Sequence, residues 1–326
     1  MLTKRRSLLT ATAAGLAIPA LRNARAEEAE WPRERSIQVI VPFPPGGGVD
    51  QMTRLVMPHV QHQLPDLRFV VDNRPGAASQ LGLEQLYNSR PDGYTIGAVV
   101  MPTLLSMPLE RPVRYDAKKF TYIANVVDDP GGLWVLKTSP IASLEALLQR
   151  AKTEKGVVSI GTTGVGSDDH LMITDLAQQT GARFNHVPFN GFAPLQTALL
   201  GGHLDVGCFN MSEGLPGLRD GRLKCLGLAS ATRLPLVTEV PTFTDQGVQL
   251  LAGSQRGIIA PPGLPDGIRD KLVAAFAAAL ASPGFKADAE KVDMPISPKT
   301  GAAYRDSVFA MESRLQGMWE RSPWRD

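Results

Sequence analysis

Four motifs of common enzymes are missing from these 326 residues: the phosphate-binding G-x-x-x-x-G-K-[ST], the zinc-binding H-E-x-x-H, the nucleophile turn G-x-S-x-G and the redox pair C-x-x-C. The glycines of Gly161-Thr-Thr-Gly164-Val-Gly166 follow an apolar segment in the order G-x-x-G-x-G, which is not the dinucleotide fingerprint G-x-G-x-x-G. Cysteine is nearly absent. The two present, Cys208 and Cys225, permit one disulfide or none, since Cys208 falls in an expected buried strand where a thiol also serves as core filler. The five histidines form no metal cluster: His59 and His62 lie one helical turn apart on what reads as a solvated face, and His170 suits packing of a neighbouring loop as well as contact with a ligand. No metal or cofactor is expected. Ser167 and His170 are no evidence for a nucleophile and base, because such pairs can be assembled in almost any chain this long.

Long apolar runs are missing too. The one candidate, 8–21, is well short of the roughly 20 residues that cross a bilayer. It follows Lys4, Arg5 and Arg6 and ends in Ala24-Arg25-Ala26, the order of an export signal cleaved after Ala26. Arg5-Arg6 before Ser7-Leu8-Leu9 resembles the twin-arginine pattern, with the general secretory route as the alternative. A soluble, periplasmic mature protein is therefore expected. Removing the signal takes away five cations, Lys4, Arg5, Arg6, Arg22 and Arg25, and no acid, so the formal charge passes from +2 to −3. That balance gives no reason to expect nucleic acid or an anionic membrane as partner.

What is present is an architecture that occurs twice. An apolar strand (36–43) runs into Pro44-Pro-Gly-Gly-Gly-Val-Asp50 and a helix (51–64); a second strand (157–161) runs into Thr162-Thr-Gly-Val-Gly-Ser-Asp168 and a helix (169–180). Each copy continues with a second strand (68–72; 183–188), a second helix (78–89; 193–201) and a third strand (94–100; 204–209). Two related α/β lobes follow, each a mixed sheet flanked by helices. Glycine loops that open helices leave backbone N–H groups unpaired and aim the positive end of the helix dipole at one place, which suits an anion.

Lobe one is expected over 33–130 and 257–326, and lobe two over 131–256. The chain crosses at Asp128-Asp-Pro-Gly-Gly132, read as a break in structure, and again near 253–257. Ser143 reads as the N-cap of a helix over 144–155, and Asp266 as that of an alanine-rich helix over 267–282. That helix and a last one over 301–320 have no third repeat to join, so they are expected to return to lobe one across a hinge.

With the loops placed, the chain resembles the substrate-binding proteins of tripartite tricarboxylate transporters, the Bug (Bordetella uptake gene) family. The resemblance rests on Val41-Pro-Phe-Pro-Pro-Gly-Gly-Gly-Val-Asp50, Asn73-Arg-Pro-Gly-Ala77, Pro91-Asp-Gly-Tyr-Thr95, Gly161 to Leu171, His186-Val-Pro-Phe-Asn-Gly-Phe-Ala-Pro194 and Gly202-His-Leu-Asp205, in the family's order. It implies a monomeric, two-lobed periplasmic binding protein, type II-like, that closes on a small carboxylate and delivers it to the large and small membrane subunits of a transporter. It further implies a ligand site at Phe43, Gly46, Gly47 and Gly48 on one side and Thr162, Thr163, Gly166 and Ser167 on the other. Asp205, read at the end of a third strand, is similar to an acidic residue lining the family's cleft; Ala78 and Ser79, read as a helix start, are a further candidate pair.

Asp50 is expected to shape its loop, since a carboxylate beside a bound anion repels it. Where relatives have glycines and a Tyr-Lys pair, this chain has Ala78-Ser79 and Phe189-Asn190. The change removes a cation, and Phe43, Phe189, Phe192 and Met101 read as an apolar wall in its place. Aromatic, monocarboxylic and citrate-like acids all stay open. Two readings compete with transport: a ligand sensor for a membrane histidine kinase, and an exported enzyme, against which the missing motifs weigh.

Overall fold

The computed structural model describes residues 31–32, 35–153, 158–321 and 323–324. The expected export signal, residues 27–30 and 33–34 at the entry to lobe one, and the residues around Gly156 lie outside them. The first repeat comprises β1 (Ile37–Val41), α1 (Gly48–Gln63), β2 (Phe69–Asn73), α2 (Gln80–Tyr87), β3 (Thr95–Met101) and α3 (Thr103–Glu110). β4 (Thr121–Leu136) leads to α4 (Leu144–Thr153), and the second repeat comprises β5 (Ser159–Thr162), α5 (Asp168–Thr180), β6 (Asn185–Pro188), α6 (Phe192–Leu200), β7 (Val206–Asn210) and α7 (Met211–Arg219). The chain closes with β8 (Leu223–Leu228), β9 (Gly253–Ala260), α8 (Asp266–Ala281), α9 (Pro283–Lys291), β10 (Ile296–Thr300) and α10 (Gly301–Arg321).

The two repeats pair alike. β1 lies parallel between β2 and β3, and β5 lies parallel between β6 and β7. Parallel strands place every following loop at one end of the sheet, where α/β folds hold ligands. The sheet order is β2-β1-β3-β9-β4-β7-β5-β6, with β8 and β10 also on β4. β4 is the spine. Its first part pairs with β9 and its second with β7 and β8, and the change of partner falls at Pro130 and Gly131.

The Asp128–Gly132 sequence is therefore no break; it lies inside a 16-residue strand. Pro130 ends the β9 ladder opposite Gly253, a position where a missing N–H is tolerated. The close approach explains the glycine: a Cβ on Gly253 would stand 2.3 Å from the Asp129 carbonyl oxygen.

Helices cover both faces of each lobe. In lobe one α1, α8 and α9 bury Met52, Val56, Phe276 and Phe285 on one face, while α3 and α10 bury Leu104, Tyr304 and Val308 on the other. The C-terminal helices thus pack on the first repeat. In lobe two α4 and α5 bury Leu147, Met172 and Leu176 on one face, and α6 and α7 bury Leu195, Leu199 and Leu215 on the other. Cys208 and Cys225 are free and buried. β4 runs between their strands, so about two strand spacings, ~9–10 Å, separate them, beyond the ~7 Å reach of a disulfide. Among the described residues no single helix is long and apolar enough to cross a membrane.

Candidate functional site

The glycine loops are built to one plan. Gly46 and Gly166 each precede a helix N-cap with φ of +84° and +72°. Each donates its N–H to the side chain four residues on: Gly46 to Asp50 Oδ2 at 2.9 Å, Gly166 to His170 Nδ1 at 3.1 Å. Asp50 is a strut, as its position implies. It also accepts from Arg54 Nε and Asn73 Nδ2 at 3.0 Å, and Asn73 Nδ2 ties the Phe43 carbonyl at 3.0 Å. Burial works to raise the Asp50 carboxyl, but the bonds from Arg54, Gly46 and Asn73 outweigh it and hold it below the usual carboxylate value.

His170 fills the equivalent place as a neutral ring. Burial, with His186 stacked 4.1 Å away, pulls it down to about 4, leaving Nδ1 able to accept. His186 Nε2 lies 2.7 Å from Thr162 Oγ1, and Thr163 gives both its N–H and its hydroxyl to Asp169 Oδ2 at 3.2 and 2.5 Å. The donors of Gly46, Thr163 and Gly166 are thus taken by the helix starts that follow them, and the Thr162 hydroxyl is engaged with His186 of β6, so none of these is a free donor. Among the described residues no acceptor meets the N–H groups of Gly47 and Gly48, and the Ser167 oxygen accepts from His170 N at 3.2 Å with no acceptor for its own proton.

A third helix start, not anticipated from sequence, joins these two. Asn210 caps α7 at the carboxyl end of β7 and donates to Asp168 Oδ2 at 2.8 Å and to the Asp129 carbonyl at 3.0 Å. Asp129, 0% exposed, accepts from the Ser212 N–H at 3.1 Å, from the Ser212 hydroxyl, and from Arg256 Nη2 at 3.1 Å. Arg256, 7% exposed, also donates from Nε to Ser254 Oγ at 3.3 Å. A Cβ placed on Gly48 would stand 2.7 Å from Arg256 Nη1. The starts of α1, α5 and α7 therefore gather around one buried guanidinium, and Nη1, turned toward Gly48, has no hydrogen-bond acceptor among the described residues. Burial raises the carboxyls around it: Glu213 is pushed up to about 8, with Arg256 opposing and Asp129 and Asp168 adding to the rise, and Asp168 and Asp169 are raised as well.

The lobes touch at the second loop. Ser106 Oγ, on α3, donates to the Gly166 carbonyl at 3.0 Å, and a Cβ on Gly166 would collide with Glu110.

Three expectations need correction. Asp205 does not line this site: it precedes β7 and bonds Ser159 N at 2.9 Å and Ser159 Oγ at 2.8 Å, at the start of the parallel strands and away from their loops. Asn210 occupies the strand end that Asp205 was expected to hold. Ala78 and Ser79 do not open a helix; with Ala77 they have φ of +47°, +53° and +82°, and α2 begins only at Gln80. Nor do the apolar candidates make one wall, because Met101 belongs to one core, Phe43 packs on a second, and Phe189 and Phe192 on a third. His59 meets Asp288 at 3.2 Å and Phe285, and no group that could hold a metal occurs among the described residues.

The left-handed run gives a direct test. L-residues there cost about 1–2 kcal/mol each, against ~0.5–1 kcal/mol for the added freedom of an unfolded glycine. Ala78 is exposed, so Ala78→Gly loses no packing and is expected to raise stability by about 0.5–1 kcal/mol in urea unfolding. A loss of stability would show that the run is not strained.

The sequence model of the tripartite tricarboxylate transporter family receptor matches residues 52–307. Protein BugT of Bordetella pertussis is 32% identical over 235 residues, 70% of this chain and 71% of that protein. Among solved structures, an R. palustris protein with adipate is 26% identical with a TM-score of 0.77, covering 89% of this chain and 96% of that one. MatC from Rhodopseudomonas palustris with bound malate is 25% identical with a TM-score of 0.72, covering 89% and 98%.

Proposed function

The chain belongs to the tripartite tricarboxylate transporter receptor family, solute-binding proteins and not enzymes, and from that premise we propose that it captures a small dicarboxylate between its lobes and delivers it to a transporter's large and small membrane subunits. The lobes are 33–130 with 257–326, and 131–256, turning about β4 and β9. The observation that carries the reading is the gathering of three helix starts around Arg256, with the Gly47 and Gly48 N–H groups left for an anion. One ligand carboxylate sits on those N–H groups beside Arg256 Nη1, where charge-assisted bonds are strongest. Ser167 donates from the facing loop; Phe43, Gly46, Thr162, Thr163 and Gly166 form the walls, and Ala78 and Ser79 border the rim.

Malate and adipate, bound by relatives, are both dicarboxylates, and this supports the same class here. The protein acts as a periplasmic monomer once the signal is cut after Ala26.

A thermal-shift screen of residues 27–326 against mono-, di- and tricarboxylates tests the reading. A dicarboxylate at about 100 times its Kd adds roughly 2.7 kcal/mol, on the order of 5 °C in Tm. Shifts for monocarboxylates alone would remove the dicarboxylate assignment, and no shift with any acid would remove the site.

A further inference from the structure

A cavity lies on the other face of the hinge strands. Directly opposed residues of an antiparallel pair share a face, so Asp129, Ser254 and Arg256 face α1 while Asp128 and Gln255 face α10. On that second face a cavity of about 790 Å³ opens, within the roughly 300–1,000 Å³ of small-molecule sites. None of the loop residues named above from Phe43 to Gly48, or from Thr162 to Ser167, lines it. Its walls are apolar and come from both lobes: Leu171, Met172 and Met211 from one, Met311, Leu315 and Met318 from the other. Leu236 and Leu251, 37% and 48% exposed, stand at the rim and carry the apolar lining out to the surface.

The floor has an acceptor short of donors. Asp128 Oδ2 accepts from Gln255 Nε2 at 3.1 Å, and its other oxygen has no donor among the described residues. Among the described residues that line it the one cation, Arg314, is already held by Asp175 at 2.7 Å and the Leu251 carbonyl at 2.9 Å; burial raises the Asp128 carboxyl, and Lys299, outside the lining, opposes that rise. Asp168, also lining, is held by Asn210. An excess of acid in apolar walls disfavours the carboxylates that suit the opposite face.

We propose that this cavity is a second ligand site, for an amphiphile whose head group donates hydrogen bonds to Asp128 and whose apolar tail lies among the methionines and leucines, as a primary alkylamine would. The occupant touches both lobes across the hinge strands.

Calorimetric titration of residues 27–326 with decylamine and with decanoate, equal in tail and opposite in head charge, tests this. Saturable one-to-one binding of decylamine is expected, with decanoate at least about tenfold weaker. Leu251→Trp, a rim change that disturbs no core, is expected to block decylamine and leave the dicarboxylate response intact; Asp128→Asn is expected to weaken decylamine about tenfold or more. Equal binding of the two amphiphiles, or decylamine binding unchanged in Leu251→Trp, overturns the proposal. Because the readout does not involve the carboxylate site, failure here and failure of the dicarboxylate reading remain distinct.

Discussion

Gly47→Asp is expected to abolish dicarboxylate binding in a protein that melts no lower than the unaltered one. Gly47 is the N-cap of α1 at φ −75°, and the nearest atom to an added Cβ is the Pro44 oxygen at 3.8 Å, so the side chain fits without strain. Aspartate is a better cap than glycine by a few tenths of a kcal/mol and also complements the helix dipole. As a cap the same carboxylate would accept from the N–H of Val49 or Asp50 and face a ligand held on the Gly47 and Gly48 N–H groups at about 4 Å. Two like charges at that distance repel by about 4 kcal/mol at an effective dielectric of about 20, which is close to a thousandfold in Kd. Gly47→Ala supplies the cap position with a methyl and no charge, and should bind nearly as the parent does. Titration calorimetry and a thermal melt on the two variants separate the effects: retained affinity in Gly47→Asp would place the carboxylate away from α1.

The repeat was legible because its signals are local. Gly46 with Asp50, and Gly166 with His170, are four residues apart, and the strand, loop and helix around each need no partner from elsewhere to be recognised. The loops' inner chemistry was less legible: Thr163 looks like a ligand donor in sequence, and only the fold shows Asp169 accepting from it. Asp205 was assigned to the wrong end of β7: a strand over 204–209 already holds it near the start, away from the loops, and the partner that fixes it there, Ser159, is 46 positions away. Arg256 was invisible. It interrupts an apolar strand at the second crossing, and the partner that makes it tolerable, Asp129, is 127 positions away. A buried arginine is rare unless paired, so its place beside the other crossing was the one available hint. The Asp128–Gly132 segment misled in the opposite direction: proline and glycine usually end strands, but here they mark where one long strand exchanges partners.

Arg256 carries the second large expectation, with two effects to be separated. Replacing it by glutamine leaves the fully buried Asp129 carboxylate with only the N–H and hydroxyl of Ser212, and removing one partner of a buried pair costs about 3–5 kcal/mol. Arg256→Gln alone would therefore melt lower and bind poorly, which does not distinguish a ligand contact from a structural one. The double variant Arg256→Gln with Asp129→Asn removes both charges, keeps amides able to bond each other and Ser212, and is expected to recover most of the lost stability. Its affinity for dicarboxylates should stay about tenfold to a hundredfold below the parent, the worth of one charge-assisted hydrogen bond of ~1.5–3 kcal/mol. Asp129→Asn alone, with the guanidinium kept and its anionic partner gone, should bind at least as tightly as the parent, since Arg256 then has more charge to offer the ligand. Equal recovery of stability and affinity in the double variant would make Arg256 a strut of the hinge, and the anion would then rest on the helix starts by themselves.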